Sequence, residues 1–191
     1  DCLSYFMTSS DGLTSLVTTI AFPAGVFSAI QFEPTAAEIQ LATVTSITAT
    51  SAVLRLTPFA GQLIQGPKQL GRICLTIAPN EPSGFAWVRV AGLLGQANGG
   101  VAIGNTSGDA GRMVVVGEEP LLEILPTSNG SPELVLYGLP GSTQRVMYSS
   151  RLLSPHAWQP LSLIPLTNLM RTTNAPQSTG AVTVIKSFKL P

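Results

Sequence analysis

Apolar residues in this chain come in short alternating runs, cut apart by 18 glycines and 15 prolines spread over 191 residues. That punctuation limits the possible folds more than any other feature. In a helix interior, glycine costs roughly 1 kcal/mol and proline roughly 3 relative to alanine. A strand with side chains on alternate faces needs only a turn residue at each end. The one stretch with a helical start signal, Thr35-Ala36-Ala37-Glu38-Ile39 after Pro34, is long enough for a single turn. An all-β fold is what remains.

The strands follow closely on one another. Residues 1–6 already have strand character, and Leu13 to Pro23 mixes β-branched and apolar residues before stopping at proline. Ala29–Phe32, Gln40–Thr50, Ala52–Thr57, Leu70–Ala78, Phe85–Val90 and Arg112–Gly117 continue the series. Gly117-Glu118-Glu119-Pro120 reads as a linker, because a strand ends, charge appears twice and proline resets the direction. Beyond it come Leu121–Leu125, Leu134–Tyr137, Gln144–Ser149, Trp158–Ile164 and Val182–Leu190. The spacing predicts two β-sandwich domains in tandem, residues 1–117 and 118–191, with antiparallel connections.

Charge narrows the function. Only 10% of residues are charged, 45% are apolar and the net charge is zero. Nucleic-acid binding needs a concentrated Lys/Arg face, whereas the ten cations here are scattered singly from Arg55 to Lys189. No apolar run approaches the roughly 18 residues of a membrane span. Residues 1–6 lack the basic start and cleavage site of a signal peptide, so Asp1 is expected to be a processed end or a cut within a longer polypeptide. Edge strands are normally guarded by Lys, Glu or bulges, and such guards are thin here. Either neighbouring domains cover the edges, or edge pairing is part of the function.

Few side chains can do chemistry. His156 is the only histidine and sits in the proline-bounded Ser154-Pro155-His156-Ala157-Trp158, with no Gly-x-Ser-x-Gly elbow anywhere in the chain. A turn histidine is the simpler reading. One His and two distant Cys cannot supply the usual zinc ligand spacing. Glu118, Glu119 and Glu123 are the densest carboxylates, yet adjacent strand residues point to opposite faces, so a solvated linker outweighs a glycosidase pair. The Gly95–Gly111 stretch offers one carboxylate, Asp109, to a calcium ion that prefers about 6 to 8 oxygens, and it lacks the Gly-Lys-Ser/Thr ending of a phosphate cradle. A plain loop is the expectation there, with no cofactor and no metal.

Cys2 and Cys74 are the only thiols. In an exported β-protein they would form a disulfide tying the first strand to a central one, worth roughly 2 to 4 kcal/mol. The competing reading makes Cys74, between Ile73 and Leu75, a small buried apolar residue. Trp87, Trp158, Tyr5, Tyr137 and Tyr148 would make a sugar-stacking platform if several shared an exposed face. Trp158 reads better as the core tryptophan of its sandwich, which leaves Trp87 as the candidate ligand contact. Asn105-Thr106-Ser107 and Asn129-Gly130-Ser131 match glycosylation acceptors, marking Asn105 and Asn129 as surface-loop candidates.

Two resemblances add to this. Ile20-Ala-Phe-Pro23, Leu54-Arg-Leu56, the Leu70-Gly-Arg-Ile-Cys-Leu-Thr-Ile77 strand and the Gly/Asn loop before Arg112-Met-Val-Val-Val116 are similar to cohesin-type domains and their carbohydrate-binding relatives. Leu134-Val-Leu-Tyr-Gly-Leu-Pro-Gly141, Tyr148-Ser149-Ser150, Leu152, Trp158-Gln159-Pro160-Leu161, Leu166-Thr167-Asn168 and Phe188-Lys189-Leu190 resemble the small fibronectin type III-like sandwiches at the ends of large secreted bacterial proteins. The first resemblance implies a cohesin-like jelly-roll sandwich that binds partner modules through one sheet face. Together they imply an extracellular, cell-surface setting. The expected function is a non-catalytic structural or adhesion module of a surface or filamentous assembly, self-associating or held by neighbouring domains. The alternative is a module that binds carbohydrate or a partner domain.

Overall fold

The alternating runs become strands wherever they bury one face. The structure, a computed structural model, describes residues 1–104, 106–126, 128, 132–149, 158–174 and 184–189. In chain order the strands are β1 (Cys2–Met7), β2 (Leu13–Ala21), β3 (Phe27–Pro34), β4 (Ile39–Ile47), β5 (Ser51–Pro58), β6 (Lys68–Ile77), β7 (Gly84–Ala97), β8 (Ala110–Val115), β9 (Leu121–Leu125), β10 (Glu133–Tyr137), β11 (Thr143–Ser149), β12 (Gln159–Pro165), β13 (Met170–Asn174) and β14 (Val184–Lys189). The chain divides into two compact units. Unit 1 is Asp1–Pro79 with Phe85–Met113, and unit 2 is Asn80–Gly84 with Val114–Pro191.

Unit 1 holds a three-stranded sheet, β1-β6-β3, and a five-stranded sheet, β4-β5-β2-β7-β8. In β2, Leu16, Thr18 and Ile20 are buried while Val17, Thr19 and Ala21 lie on the other face, the period-2 pattern of a half-buried strand. Leu54 and Leu56 of β5, Val88 of β7, Ile30 of β3 and Leu70, Ile73 and Leu75 of β6 belong to the same core. Each fully buried Leu or Ile contributes about 1.5 to 3 kcal/mol. Thr18 is the polar member, and its hydroxyl donates to the Gly92 carbonyl at 3.2 Å. Gly71 of β6 has no room for a side chain. A Cβ there would lie 2.4 Å from both the Glu33 carbonyl oxygen and the Phe32 ring. The Phe32 ring fills that space and meets Tyr5 edge to face, with centroids 6.1 Å apart.

Unit 2 pairs two three-stranded sheets, β13-β10-β9 and β12-β11-β14. Its core joins both sheets through Leu134, Leu136, Val146, Ile164 and Leu166, flanked by Leu122, Leu161 and Ile185. Gln144 is buried among them. Its Nε2 donates to the Ser142 hydroxyl at 2.8 Å, while its Oε1 has no partner among the described residues.

Three expectations change. Trp158 is half-buried just ahead of β12, and the described core of unit 2 is aliphatic instead of built on a tryptophan. The glycine-rich loop starts later than Gly95, because β7 runs to Ala97. Gly92 and Gly95 stay in the strand since Thr19, Leu13 and Ile103 side chains occupy the space their missing side chains leave. β13, with a mostly exposed Met-Arg-Thr-Thr-Asn sequence, carries no alternating apolar signal and is absent from the sequence expectation. Thr35–Ile39 forms a turn, as the sequence suggested, closed by Ile39 N–H to the Ala36 carbonyl at 3.2 Å.

Candidate interaction surface

Antiparallel register on the five-stranded sheet determines which outward side chains become neighbours. Thr43 of β4 lies opposite Arg55 of β5, Arg55 opposite Val17 of β2, and Val17 opposite Leu94 of β7. The next row is Val53, Thr19 and Gly92, and the one beyond is Ser51, Ala21 and Arg89. Leu41, Trp87 and Leu94 are 52%, 46% and 69% exposed on this sheet. The result is a broad surface of aliphatic and hydroxyl side chains, on which Thr19 lies over Gly92.

Charge on this face has one sign. Arg55, Arg89 and Arg112 are exposed, and the five strands carry no Asp or Glu. The Arg112 guanidinium stacks over the Phe85 ring at 4.5 Å. Unit 1's other two cations lie on β6 and are paired. Lys68 bonds Glu38, and Arg72 Nη2 bonds Glu33 Oε2 at 2.7 Å. The Lys68 hydrogen bond holds the Glu38 carboxyl below its ordinary pKa. Along β2, Arg55 and Arg89 are registered to Val17 and Ala21, four residues apart and on opposite flanks, which separates them by roughly 16 Å. Arg55 and Arg89 flank the Val17–Leu94 pair, and Leu41 lies beyond β5 on the edge strand. Sequence reasoning missed this because Arg55 and Arg89 are 34 positions apart and only the register of β5, β2 and β7 brings them to one face.

The other sequence candidates disperse. Cys2 and Cys74 form a disulfide between directly paired residues of β1 and β6. Among the described residues, one cluster of three potential metal-ligating groups occurs, Cys2, Glu33 and Cys74, and the bond consumes both sulfurs. Tyr5 and Tyr137 are buried, and of the remaining aromatics Trp87 stands on unit 1 while Trp158 and Tyr148 belong to unit 2. Burial pushes the Tyr5 hydroxyl above its ordinary pKa, partly offset by a hydrogen bond with Thr18. Tyr137 donates to Glu123 Oε2 at 2.9 Å, which turns that carboxylate toward its own sheet. Glu118 and Glu119 are exposed, and Ser83 bonds the stretch on both sides, accepting from Gly117 N–H at 2.8 Å and donating to the Glu119 carbonyl. Asp109 is exposed at the start of β8. His156, Asn105 and Asn129 lie outside the described residues. No helix is long and apolar enough to cross a membrane among those residues.

No protein-family model matches the chain, and no curated protein does. Solved structures do. A chain from the crystal structure of a complex between a CaDoc0917 variant and CaCohA2, at pH 5.5, superposes with a TM-score of 0.51 at 16% identity, covering 60% of this chain and 89% of that one. A cohesin module from a Clostridium perfringens ATCC13124 family 33 glycoside hydrolase aligns with a TM-score of 0.48 at 9% identity, covering 60% and 84%. The first likeness is one of fold, and it bears out the all-β, cohesin-like sandwich expected from the sequence.

Proposed function

We propose that this chain is a non-catalytic binding module that docks a partner protein domain on the outward face of the β4-β5-β2-β7-β8 sheet. The observation that carries the reading is the pairing on one face of outward apolar side chains, Val17 beside Leu94 with Leu41 on the edge strand, with Arg55 and Arg89 on strands that carry no carboxylate. Exposed apolar area on a sheet face marks interaction. The arginines select a partner whose rim is acidic and speed its approach. The fold likeness to a chain solved in a two-protein complex supports the same reading. On it, the partner is a dockerin-type domain, and the chain works outside the cytosol in a cell-surface assembly, a setting the Cys2–Cys74 bond suits. Residues 118–191 then serve as a fibronectin type III-like spacer, with the division between domains near residue 118.

The test is calorimetric titration of the purified chain with a panel of dockerin-type domains. Saturable binding to at least one is expected. Leu94→Asp should abolish it, and combined Arg55→Glu and Arg89→Glu should weaken it by about 100-fold, with a reduced salt dependence. Absence of binding across the panel, or indifference to both changes, overturns the reading. Trp87 gives a carbohydrate reading its one foothold, and glycan binding lost on Trp87→Ala with no protein partner would put that reading first.

A further inference from the structure

The two sheets of unit 1 meet differently along their two sides. On one side, β3 runs directly into β4 and joins them. On the other, the free edges are β1 of the three-stranded sheet and β8 of the five-stranded sheet. Between these edges lies a groove of about 510 Å³, walled by Leu3–Met7 of β1 and by Ser107–Gly111 leading into β8. Its floor reaches core residues Ile20, Ile73 and Val88. The seam is a wedge. At one end Leu3 packs against Gly111, where a Cβ would come within 3.2 Å of the leucine. At the other end it continues past Met7, Thr8, Leu93 and Ser107 into a second hollow of about 460 Å³.

The main chain of β1 tells what the groove fits. Asp1 and Leu75 exchange both main-chain hydrogen bonds, at 3.2 and 2.8 Å. In an antiparallel pair this alternates, so Leu3 and Tyr5 also face β6, whereas Cys2 and Ser4 turn their N–H and C=O outward. Those outward groups meet no partner among the described residues. β1 carries no charge and no proline, the usual guards of a free edge. The lining holds one cation, Arg89, whose side chain lies on the outward sheet face, and one acid, Asp109; the remaining lining residues carry no charge, which suits a neutral occupant.

We infer that the β1–β8 seam is a second binding site, which takes an uncharged extended peptide from a partner protein as an added strand on β1. The occupant's backbone bonds Cys2 and Ser4, and its alternate apolar side chains enter the groove over Ile20, Ile73 and Val88. An elongated, apolar-floored slot beside unpaired backbone suits a strand. A compact ligand would leave the edge unsatisfied.

The probe is an end-capped, fluorescently labelled peptide of about eight residues alternating valine and threonine. Anisotropy should show saturable binding, absent for an all-serine peptide, with slowed hydrogen exchange at the Cys2 and Ser4 amides. Ser4→Pro removes an outward N–H while sparing the β6 ladder and is expected to weaken binding roughly tenfold or more at unchanged melting temperature. Ser107→Trp fills the groove from an exposed position and should do the same. Leu94→Asp, on the separate sheet face, should leave peptide binding intact, which keeps this test independent of the dockerin titration. Failure to saturate, equal binding of the serine peptide, or insensitivity to both seam variants overturns the inference. So does a dimer paired through β1 that the peptide cannot displace.

Discussion

Loss of the Cys2–Cys74 bond should destabilise unit 1 by an amount set by where the bridge sits. It closes a loop with a sequence separation of 72 residues. Chain entropy alone gives about 4.4 kcal/mol at 25 °C for a loop of that length. That figure is a ceiling here, because β1 pairs with β6 alone and can fray in the reduced protein while the rest of the core survives. A global loss of roughly 2 to 4 kcal/mol follows, equivalent to a fall of about 10 to 20 °C in melting temperature for a domain this size. The measurement compares urea unfolding of the oxidised protein with Cys2→Ser/Cys74→Ser, in a Trp158→Phe background so that Trp87 alone reports unit 1. Hydrogen exchange at Leu3 and Tyr5, whose amides face β6, should accelerate beyond the global change. If the midpoints agree within about 0.5 kcal/mol and β1 exchange is unaltered, the bridge is not what holds this edge, and the reasoning fails.

Other changes test other parts of the structure. Gly71→Ala drives a methyl into the Glu33 carbonyl and the Phe32 ring and should cost about 1 to 3 kcal/mol in chemical denaturation, whereas a neutral result would show that the strands can part there. Tyr5 has its pKa raised in the folded state, so its contribution is intact below the unfolded value of 10.0 and lost as pH rises through it. The urea midpoint should therefore drop above about pH 10 in the wild type and drop less in Tyr5→Phe. Glu38 is shifted the other way, so what it contributes is present above its unfolded pKa of 4.5 and is lost on acidification, and Lys68→Met should flatten that acid limb. Gln144→Met removes a buried carbonyl oxygen that has no partner among the described residues, and should leave unit 2 as stable or more stable by about 1 kcal/mol in thermal unfolding.

Strands that bury one face could be read from their residues one at a time. β2, β5 and β6 carry Leu and Ile at spaced positions because the core requires it, and Leu16, Ile20, Leu54, Leu56, Leu70, Ile73 and Leu75 are the buried ones. β13 could not be read, since its exposed Met-Arg-Thr-Thr-Asn gains its order from pairing with β10 and buries little of its own. The extension of β7 through Gly92 and Gly95 was hidden for a related reason. Glycine signals a turn locally, and only the neighbouring Thr19, Leu13 and Ile103 side chains explain why no turn occurs. The half-burial of Trp158 shows the converse, a large aromatic whose identity suggests a core that aliphatic residues on β10, β11 and β12 already fill.

The candidate surfaces stand one level further from the sequence than the strands do. Arg55 and Arg89 are isolated cations along the chain and come to flank the Val17–Leu94 pair only because β5, β2 and β7 are neighbours in a fixed register. The same holds for the seam. Scarcity of charge at strand edges is visible in the sequence, yet it does not say which edge is covered. In the folded unit, β3 and β4 close one side, and β1 and β8 leave the other open. An uncharged edge is dangerous only where it is exposed, and β1 is both uncharged and pinned by a disulfide at Cys2, beside the groove. The bond limits the fraying that would let β1 pair with arbitrary chains, while keeping Cys2 and Ser4 in position to accept a chosen one. Opening the disulfide should therefore cost both stability and peptide selectivity. The reduced double-serine protein is expected to lose its preference for the valine-threonine peptide over the serine control, and an undiminished preference would separate the bridge from the seam.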